Sequence, residues 1–238
     1  MSDSGALLRQ AGLALTPESL QGLAVYQEML VDWNGRMDLT NVPADEIPAR
    51  HFLDSLLPLT VEGLFPKKAR IIDVGTGAGF PGLALAIARP DLRVTLLEAQ
   101  GKRCAFLHAV IERLGLNGAQ VIQDRAEVLG RAAGHRESYD RAVARAVAPL
   151  NVLCEYLLPF VRVGGCALCW KGPALKEEEK EGAYAARLLG GRMTKALEMP
   201  GVVYSHVLVR IDKIEETLPQ YPRKNGIPAK RPLRDDKK

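Results

Sequence analysis

The chain is predicted to be an α/β protein with a mostly parallel sheet covered by helices on both faces, preceded by a helical extension. Three observations lead there. From about residue 67 onward, short β-type runs alternate with helical stretches, as in sheets whose strands are joined by helices. The run Ile71-Ile72-Asp73-Val74-Gly75-Thr76-Gly77-Ala78-Gly79-Phe80-Pro81-Gly82 passes from an apolar strand through a glycine turn to a proline suited to the first position of a helix. Residues 4–66 read as helical.

Thr16-Pro17-Glu18 is a helix start, with Thr as cap and Pro at the first position. Leu20, Leu23, Ala24, Met29 and Leu30 follow at helical spacing. A second helix is expected to carry Arg50 through Leu57. Strands are expected near 70–74, 93–98, 119–123, 139–144 and 162–170, with a final antiparallel pair near 192–199 and 202–211, seven in all. Helices are expected between them, including 102–114 and a solvated one over 176–189, whose Lys176-Glu177-Glu178-Glu179-Lys180-Glu181 run suits an exposed face. Three segments result: a helical extension over 1–66, an α/β unit over 67–213 and a basic, Pro-rich arm over 214–238.

The 238 residues are 47% hydrophobic and 25% charged, which allows a full core and fits a globular protein. No apolar stretch is long enough to span a bilayer, and Met1-Ser2-Asp3-Ser4 begins no signal peptide, so the cytoplasm is the expected location. The net charge of +4 leans basic, and most of the excess lies in the C-terminal arm. Cys166-Ala167-Leu168-Cys169 is a CxxC, but it falls within a predicted strand, where positions three apart face opposite ways. With no second CxxC or His pair to complete a zinc set, core cysteines are expected and no metal.

The glycine turn marks the carboxyl end of the first strand, where nucleotide-like ligands sit in open α/β sheets. Two ligands compete. Gly77-Ala78-Gly79-Phe80-Pro81-Gly82 spells a GxGxxG that suits NAD. Asp73-Val74-Gly75-Thr76-Gly77-Ala78-Gly79 spells the acid-apolar-GxGxG of S-adenosylmethionine (SAM) sites. The carboxylate of Asp73 favours SAM, because it would repel a pyrophosphate but suits an ammonium and a sulfonium. Glu98 ends the next strand, where a ribose-binding acid belongs for either ligand. In the tail, Pro219, Pro222, Pro228 and Pro232 are interleaved with Arg223, Lys224, Lys230 and Arg231 around Tyr221. Such a stretch reads as an extended arm for phosphates and base stacking, with a disordered solubilising tail as the alternative.

Arg50-His51-Phe52-Leu53-Asp54-Ser55, the glycine loop, Leu97-Glu98-Ala99-Gln100-Gly101-Lys102-Arg103, Arg145-Ala146 and Lys171-Gly172 occur in order. Together with Tyr221-Pro222-Arg223-Lys224-Asn225-Gly226-Ile227-Pro228, they resemble the bacterial small-subunit rRNA guanine-N7 methyltransferases (the RsmG, or GidB, family) over nearly the whole chain. Asp38 departs from the pattern, since the family usually has Asn before Leu39-Thr40. The resemblance implies a class I SAM-dependent methyltransferase fold, SAM as cofactor with S-adenosylhomocysteine as product, and 16S rRNA or the small ribosomal subunit as partner, with no obligate protein partner evident. It places cofactor contacts at Asp73, Gly75, Gly77, Phe80, Glu98, Ala99, Gln100, Ala126, Glu127 and Arg145. The side chain of Asp124 is an alternative contact to adenine. Arg145 can hold the methionine carboxylate, meet RNA, or simply pair with Asp140 or Glu155. The cations expected to meet RNA are Arg50, His51, Lys102, Arg103, Lys171, Arg223 and Lys224, with packing or ion-pair roles as the alternatives for His51 and Lys102.

No general base is required, because guanine N7 carries a lone pair on the major-groove edge. Ala144-Arg145-Ala146-Val147-Ala148-Pro149 lacks the Asn/Asp-Pro-Pro-aromatic motif of exocyclic amine methylation, and no cysteine lies where cytosine C5 chemistry needs one. No catalytic side chain is therefore expected beyond a positioning role for Arg145. The rival readings are a SAM enzyme acting on a small molecule or protein, an RNA-binding assembly module without catalysis, and an NAD oxidoreductase.

Overall fold

A computed structural model describes residues 3–199 and 206–235. The parallel strands are β1 (Arg70–Val74), β2 (Arg93–Glu98), β3 (Ala119–Gln123), β4 (Tyr139–Arg145) and β5 (Val161–Lys171). Three antiparallel pieces follow: β6 (Gly191–Met193), β7 (Leu197–Glu198) and β8 (Val207–Lys213). The sheet order is β3-β2-β1-β4-β5-β8-β6, with β7 also paired to β8. The expected seventh strand, over 202–211, corresponds to β8 from Val207 onward; its residues 202–205 lie outside the described residues. The expected sixth is split into β6 and β7, which gives an eight-stranded sheet. Strand order reverses between β1 and β4, so a crevice opens at their carboxyl ends.

The helices are α1 (Asp3–Gln10), α2 (Pro17–Asn34), α3 (Asp54–Leu56), α4 (Gly82–Ala88), α5 (Gly101–Leu114), α6 (Ala126–Leu129), α7 (Leu150–Leu157), α8 (Leu175–Leu188) and α9 (Ile227–Lys230). Thr16 caps α2 as expected, its Oγ1 accepting from the Ser19 N–H at 3.2 Å with Pro17 at the first position. The expected helix over 50–57 is less regular. It runs as a π turn (Pro48–Leu53), the short α3 and a 3-10 turn (Leu57–Thr60), bracketed by Pro48 and Pro58. α4 begins at Gly82, one residue later than expected, with Pro81 as its cap.

Strand alternation sorts the core into two layers. Ile71, Val94, Leu96, Cys166 and Leu168 face α4, α5 and the N-terminal helices. Ile72, Leu97, Ala167, Cys169 and Val209 face α7 and α8. Cys166 and Cys169 therefore point to opposite faces, as period-2 alternation requires. The N-terminal helices join the first layer. Tyr26 is fully buried and donates from its hydroxyl to the Ala78 carbonyl in the glycine loop at 2.5 Å, and Ser19 donates to the Ile87 carbonyl of α4 at 2.9 Å.

The C-terminal segment corrects an expectation. It is not an extended arm. Arg131 donates to the carbonyls of Gln220 and Pro222, both at 2.8 Å, and Arg136 to that of Tyr221 at 2.8 Å. Glu155, which has no solvent exposure, receives the Arg223 N–H at 2.7 Å and its guanidinium at 2.6 Å. The Asn151 side chain donates to the Leu233 carbonyl at 2.9 Å. Prolines withhold donors from a regular element, so this stretch satisfies its carbonyls with arginine side chains of the body.

Candidate active site

The loop after β1 is held from beneath by Asp73. This residue has no solvent exposure, and its Oδ2 accepts from Thr76 Oγ1 at 2.6 Å and the Gly82 N–H at 2.7 Å. One carboxylate oxygen thus pins both ends of the glycine turn. Its Oδ1 is buried and has no partner among the described residues. Burial raises the Asp73 carboxyl to about 6, against the opposing pull of the two hydrogen bonds. Gly75 and Gly77 have φ of +70° and +59°, which bulkier residues rarely adopt. A Cβ on Gly75 would also come within 3.1 Å of Val147.

A cavity of 270 Å³ lies over the ends of β1, β2 and β3. Its walls include Gly75, Glu98, Ala99, Ala126, Glu127 and Val147. Asp124, Arg103, Arg125 and Tyr156 complete the charged and aromatic rim. Glu98 is nearly buried. Its Oε2 accepts from the Gly77 N–H at 3.0 Å and its Oε1 from the Gln100 N–H at 2.9 Å. Each oxygen keeps a second lone pair for a ligand hydroxyl. Glu127 turns its Oε1 to the Gly226 N–H at 2.9 Å, so the C-terminal segment is tied to the cavity wall.

Phe80 and Arg145 do not line this cavity. They join a second cluster on the N-terminal layer. His51 stacks on Phe80 with centroids 4.4 Å apart, and the Arg145 guanidinium lies 5.0 Å from the Phe80 centroid. Arg145 donates to Asp54 Oδ2 at 2.8 Å and to His51 Nδ1 at 3.0 Å. The Nδ1 atom must then be an acceptor, so the proton sits on Nε2 and is given to Thr40 Oγ1 at 2.8 Å. Burial first, and the Arg145 charge second, push the imidazole down to about 3. Asp54 is the hub of the cluster. Its other oxygen meets His206 Nδ1 at 3.1 Å, and its carbonyl accepts from the Trp170 indole at 2.8 Å. Burial pulls the Asp54 carboxyl up, but the hydrogen bonds from His206 and Arg145 outweigh it and leave the carboxyl below its ordinary value.

Several expected RNA cations are committed elsewhere. His51 is uncharged. Lys171 is 10% exposed and pairs with Glu178 at 2.6 Å. Arg223 is held by Glu155, and Arg50 pairs with Glu46 at 3.0 Å. Neither alternative partner of Arg145 is the one it takes, since Asp54 lies 91 residues away in sequence. Lys102 and Lys224 are exposed, and Arg103 is half-buried on the cavity rim. Arg125, Tyr156 and His206 were not singled out from sequence. Arg125 and Tyr156 carry no motif, and a lone His in a strand flank carries no signal by itself.

Strand order, the glycine loop and the acid after β2 define a class I SAM-dependent methyltransferase. The chain's fold is similar to that of an MtNAS mutant crystallised in complex with S-adenosylmethionine, at a TM-score of 0.56 and 16% identity over 82% of this chain and 75% of that one. It is also similar to a SAM dependent methyltransferase from Aquifex aeolicus, at a TM-score of 0.51 and 18% identity over 67% and 91% of the two chains. The family model for GidB, rRNA small subunit methyltransferase G, matches residues 19–202. A ribosomal RNA small subunit methyltransferase G from Alkaliphilus metalliredigens is 44% identical over 95% of both chains, and one from Moorella thermoacetica is 44% identical over 96% of both. The chain belongs to the rRNA small subunit methyltransferase G family.

The site fits SAM. A Cβ at Gly75 would crowd Val147 on the cavity wall at 3.1 Å, and Glu98 offers acceptor lone pairs at the cavity. The cofactor of this enzyme class is SAM.

Proposed function

We propose that this protein transfers a methyl group from SAM to N7 of a guanine in small-subunit (16S) ribosomal RNA, in the cytoplasm. The observation that carries the reading is the 44% identity, over 95% of both chains, to a protein named ribosomal RNA small subunit methyltransferase G. Among the described residues no helix is long and apolar enough to cross a membrane. Residues 1–66 serve as a helical extension, 67–213 as the methyltransferase unit and 214–238 as a basic tail.

When bound, SAM supplies an electrophilic methyl group. The chain's own residues do the rest. Glu98 accepts ribose hydroxyls, the Gly75–Gly77 backbone leaves room for the cofactor's close approach, and the loop at Asp124, Ala126 and Glu127 flanks adenine. Asp73 fixes the loop from beneath through Thr76 and Gly82. The acceptor needs no deprotonation, so holding N7 in line at near-attack distance supplies the rate. The cysteines support this choice over C5 chemistry. All four are buried, and burial pushes the Cys169 thiol up to about 12, so none offers a thiolate. Lys102 and Lys224, which are exposed, and Arg103 and Arg125, on the cavity rim, meet RNA phosphates in this reading.

The test is incubation with methyl-labelled SAM and small subunits from cells lacking the modification. Chain cleavage at N7-methylguanine then maps the product. Label in rRNA with cleavage at one guanine is expected; label confined to protein or small molecules overturns the reading.

A further inference from the structure

The cofactor cavity occupies the β1–β2–β3 half of the crevice. An acceptor base must then approach from the β4–β5–β8 half. Register shows what stands there. Arg145 of β4 pairs with Trp170 of β5, and Trp170 with Leu208 of β8, so these three form one row across the sheet. The next row holds Lys171 and Val207. His206 follows immediately, just beyond the carboxyl ends of β4 and β5. Acceptors of open α/β sheets bind at such ends.

Of the charged or polar side chains around this edge, Arg145 and Lys171 are sealed in ion pairs at 11% and 10% exposure. His206 keeps 36% of its side chain exposed. Its orientation is fixed by a carboxylate with no proton to give. Asp54 Oδ1 can only accept, so His206 Nδ1 bears the hydrogen and Nε2 is left as an acceptor in the neutral ring. Nε2 has no partner among the described residues. Asp54 is itself anchored by Arg145 and, through its carbonyl, by Trp170, so the imidazole is held against three elements of the fold.

We propose that His206, held by Asp54, is a base-contacting residue whose Nε2 accepts a hydrogen bond from the N–H edge of the target guanine. The proposal rests on the function above and deepens it. Alkylation at N7 leaves the purine cationic and makes its N1–H a stronger donor. An acceptor on that edge therefore binds the transition state more tightly than the ground state, and no proton need move.

The experiment compares wild type, His206→Ala and His206→Gln with unmodified small subunits, measuring kcat and KM for RNA, SAM affinity by calorimetry and thermal midpoint. His206→Ala is expected to lower kcat about tenfold, the loss of one hydrogen bond, with SAM affinity unchanged and a lower midpoint because buried Asp54 loses a partner. His206→Gln keeps a donor for Asp54 and an acceptor oxygen, and is expected to retain most of the rate. Wild-type kcat in His206→Ala, a parallel fall in SAM affinity, or equal damage in the two variants would overturn the proposal. Absence of methylation by the wild type would overturn the function beneath it instead.

Discussion

Glu155 and Arg223 form an ion pair that closes the C-terminal segment onto α7. The carboxylate has no solvent exposure and receives the Arg223 guanidinium at 2.6 Å. The neighbouring Glu127, on the cavity wall, receives the Gly226 N–H. Were the segment an extended arm, loss of residues after Leu218 would weaken RNA binding and spare the cofactor. The structure predicts otherwise. Truncation strips both glutamates of partners, so thermal midpoint and SAM affinity should fall together. Arg223→Ala alone should cost about 3 kcal/mol in urea unfolding, because it leaves a buried charge with only a backbone donor. A truncated chain with wild-type SAM affinity by calorimetry would contradict this.

Asp73 gives an unusual pH signature. Its carboxyl titrates near 6 in the fold, against an ordinary value of 3.8. The folded state therefore binds the proton more tightly than the unfolded chain. The contribution of this group to stability is least above pH 6 and grows as pH falls from 6 towards 4, the reverse of an ion-paired carboxylate. Asp73→Asn removes that component. Urea midpoints at pH 7.5 and 4.5 should show wild type gaining on the variant at the lower pH. A gap that does not change with pH would show that the carboxyl titrates in its ordinary range.

Two glycines of the loop should fail in different ways. At Gly82 a Cβ would lie 2.7 Å from both Asp73 Cβ and Leu96 Cδ2, so Gly82→Ala overpacks the core and should cost about 1–3 kcal/mol. At Gly77 a Cβ meets only the Gly75 carbonyl at 4.0 Å, but φ is +59°. Gly77→Ala should then cost only about 1–2 kcal/mol of backbone strain. Its main effect should be on the ligand, because the methyl group intrudes where SAM approaches. Denaturation and calorimetry on both variants separate the two effects. Equal SAM affinity in Gly77→Ala and wild type would move the cofactor away from this turn.

These contrasts mark what the sequence carries. β1, β2 and β3 span the residues that local runs and turn signals predict; in β1 and β2 burial on both faces leaves a short unbroken apolar pattern, while β3 is a half-buried edge strand. The glycine loop and Glu98 are legible because steric and charge demands act within a few residues. The partners of Arg145, Arg223 and Lys171 are not. Asp54 and Glu155 lie 91 and 68 positions from Arg145 and Arg223, and nothing local distinguishes a cation that will be sealed from one left free. Asp54 stood in a recognisable motif, but its role depends on β4, β5 and β8 converging over it. The sixth strand splits into β6 and β7, a division that its polar composition did not signal.

His51 supplies the last prediction. The sequence offers it as a cation for RNA or as a packing histidine, and the structure favours the second: Arg145 donates to its Nδ1, it stacks on Phe80, and burial holds its imidazole near 3. The unfolded chain takes up a proton near 6.5, which the folded state refuses. Stability from this residue is therefore complete above about pH 6.5 and is lost as pH falls from there towards 3. A glutamine at this position can still accept from Arg145 through its carbonyl oxygen and donate to Thr40 through its amide, without titrating. His51→Gln should thus unfold less readily than wild type in acid relative to their difference at pH 7.5, as read from urea midpoints at pH 7.5 and 5. Were His51 a charged RNA contact, the same substitution would reduce the salt dependence of RNA binding by about one ion. The uncharged, stacked ring instead predicts an unchanged salt slope.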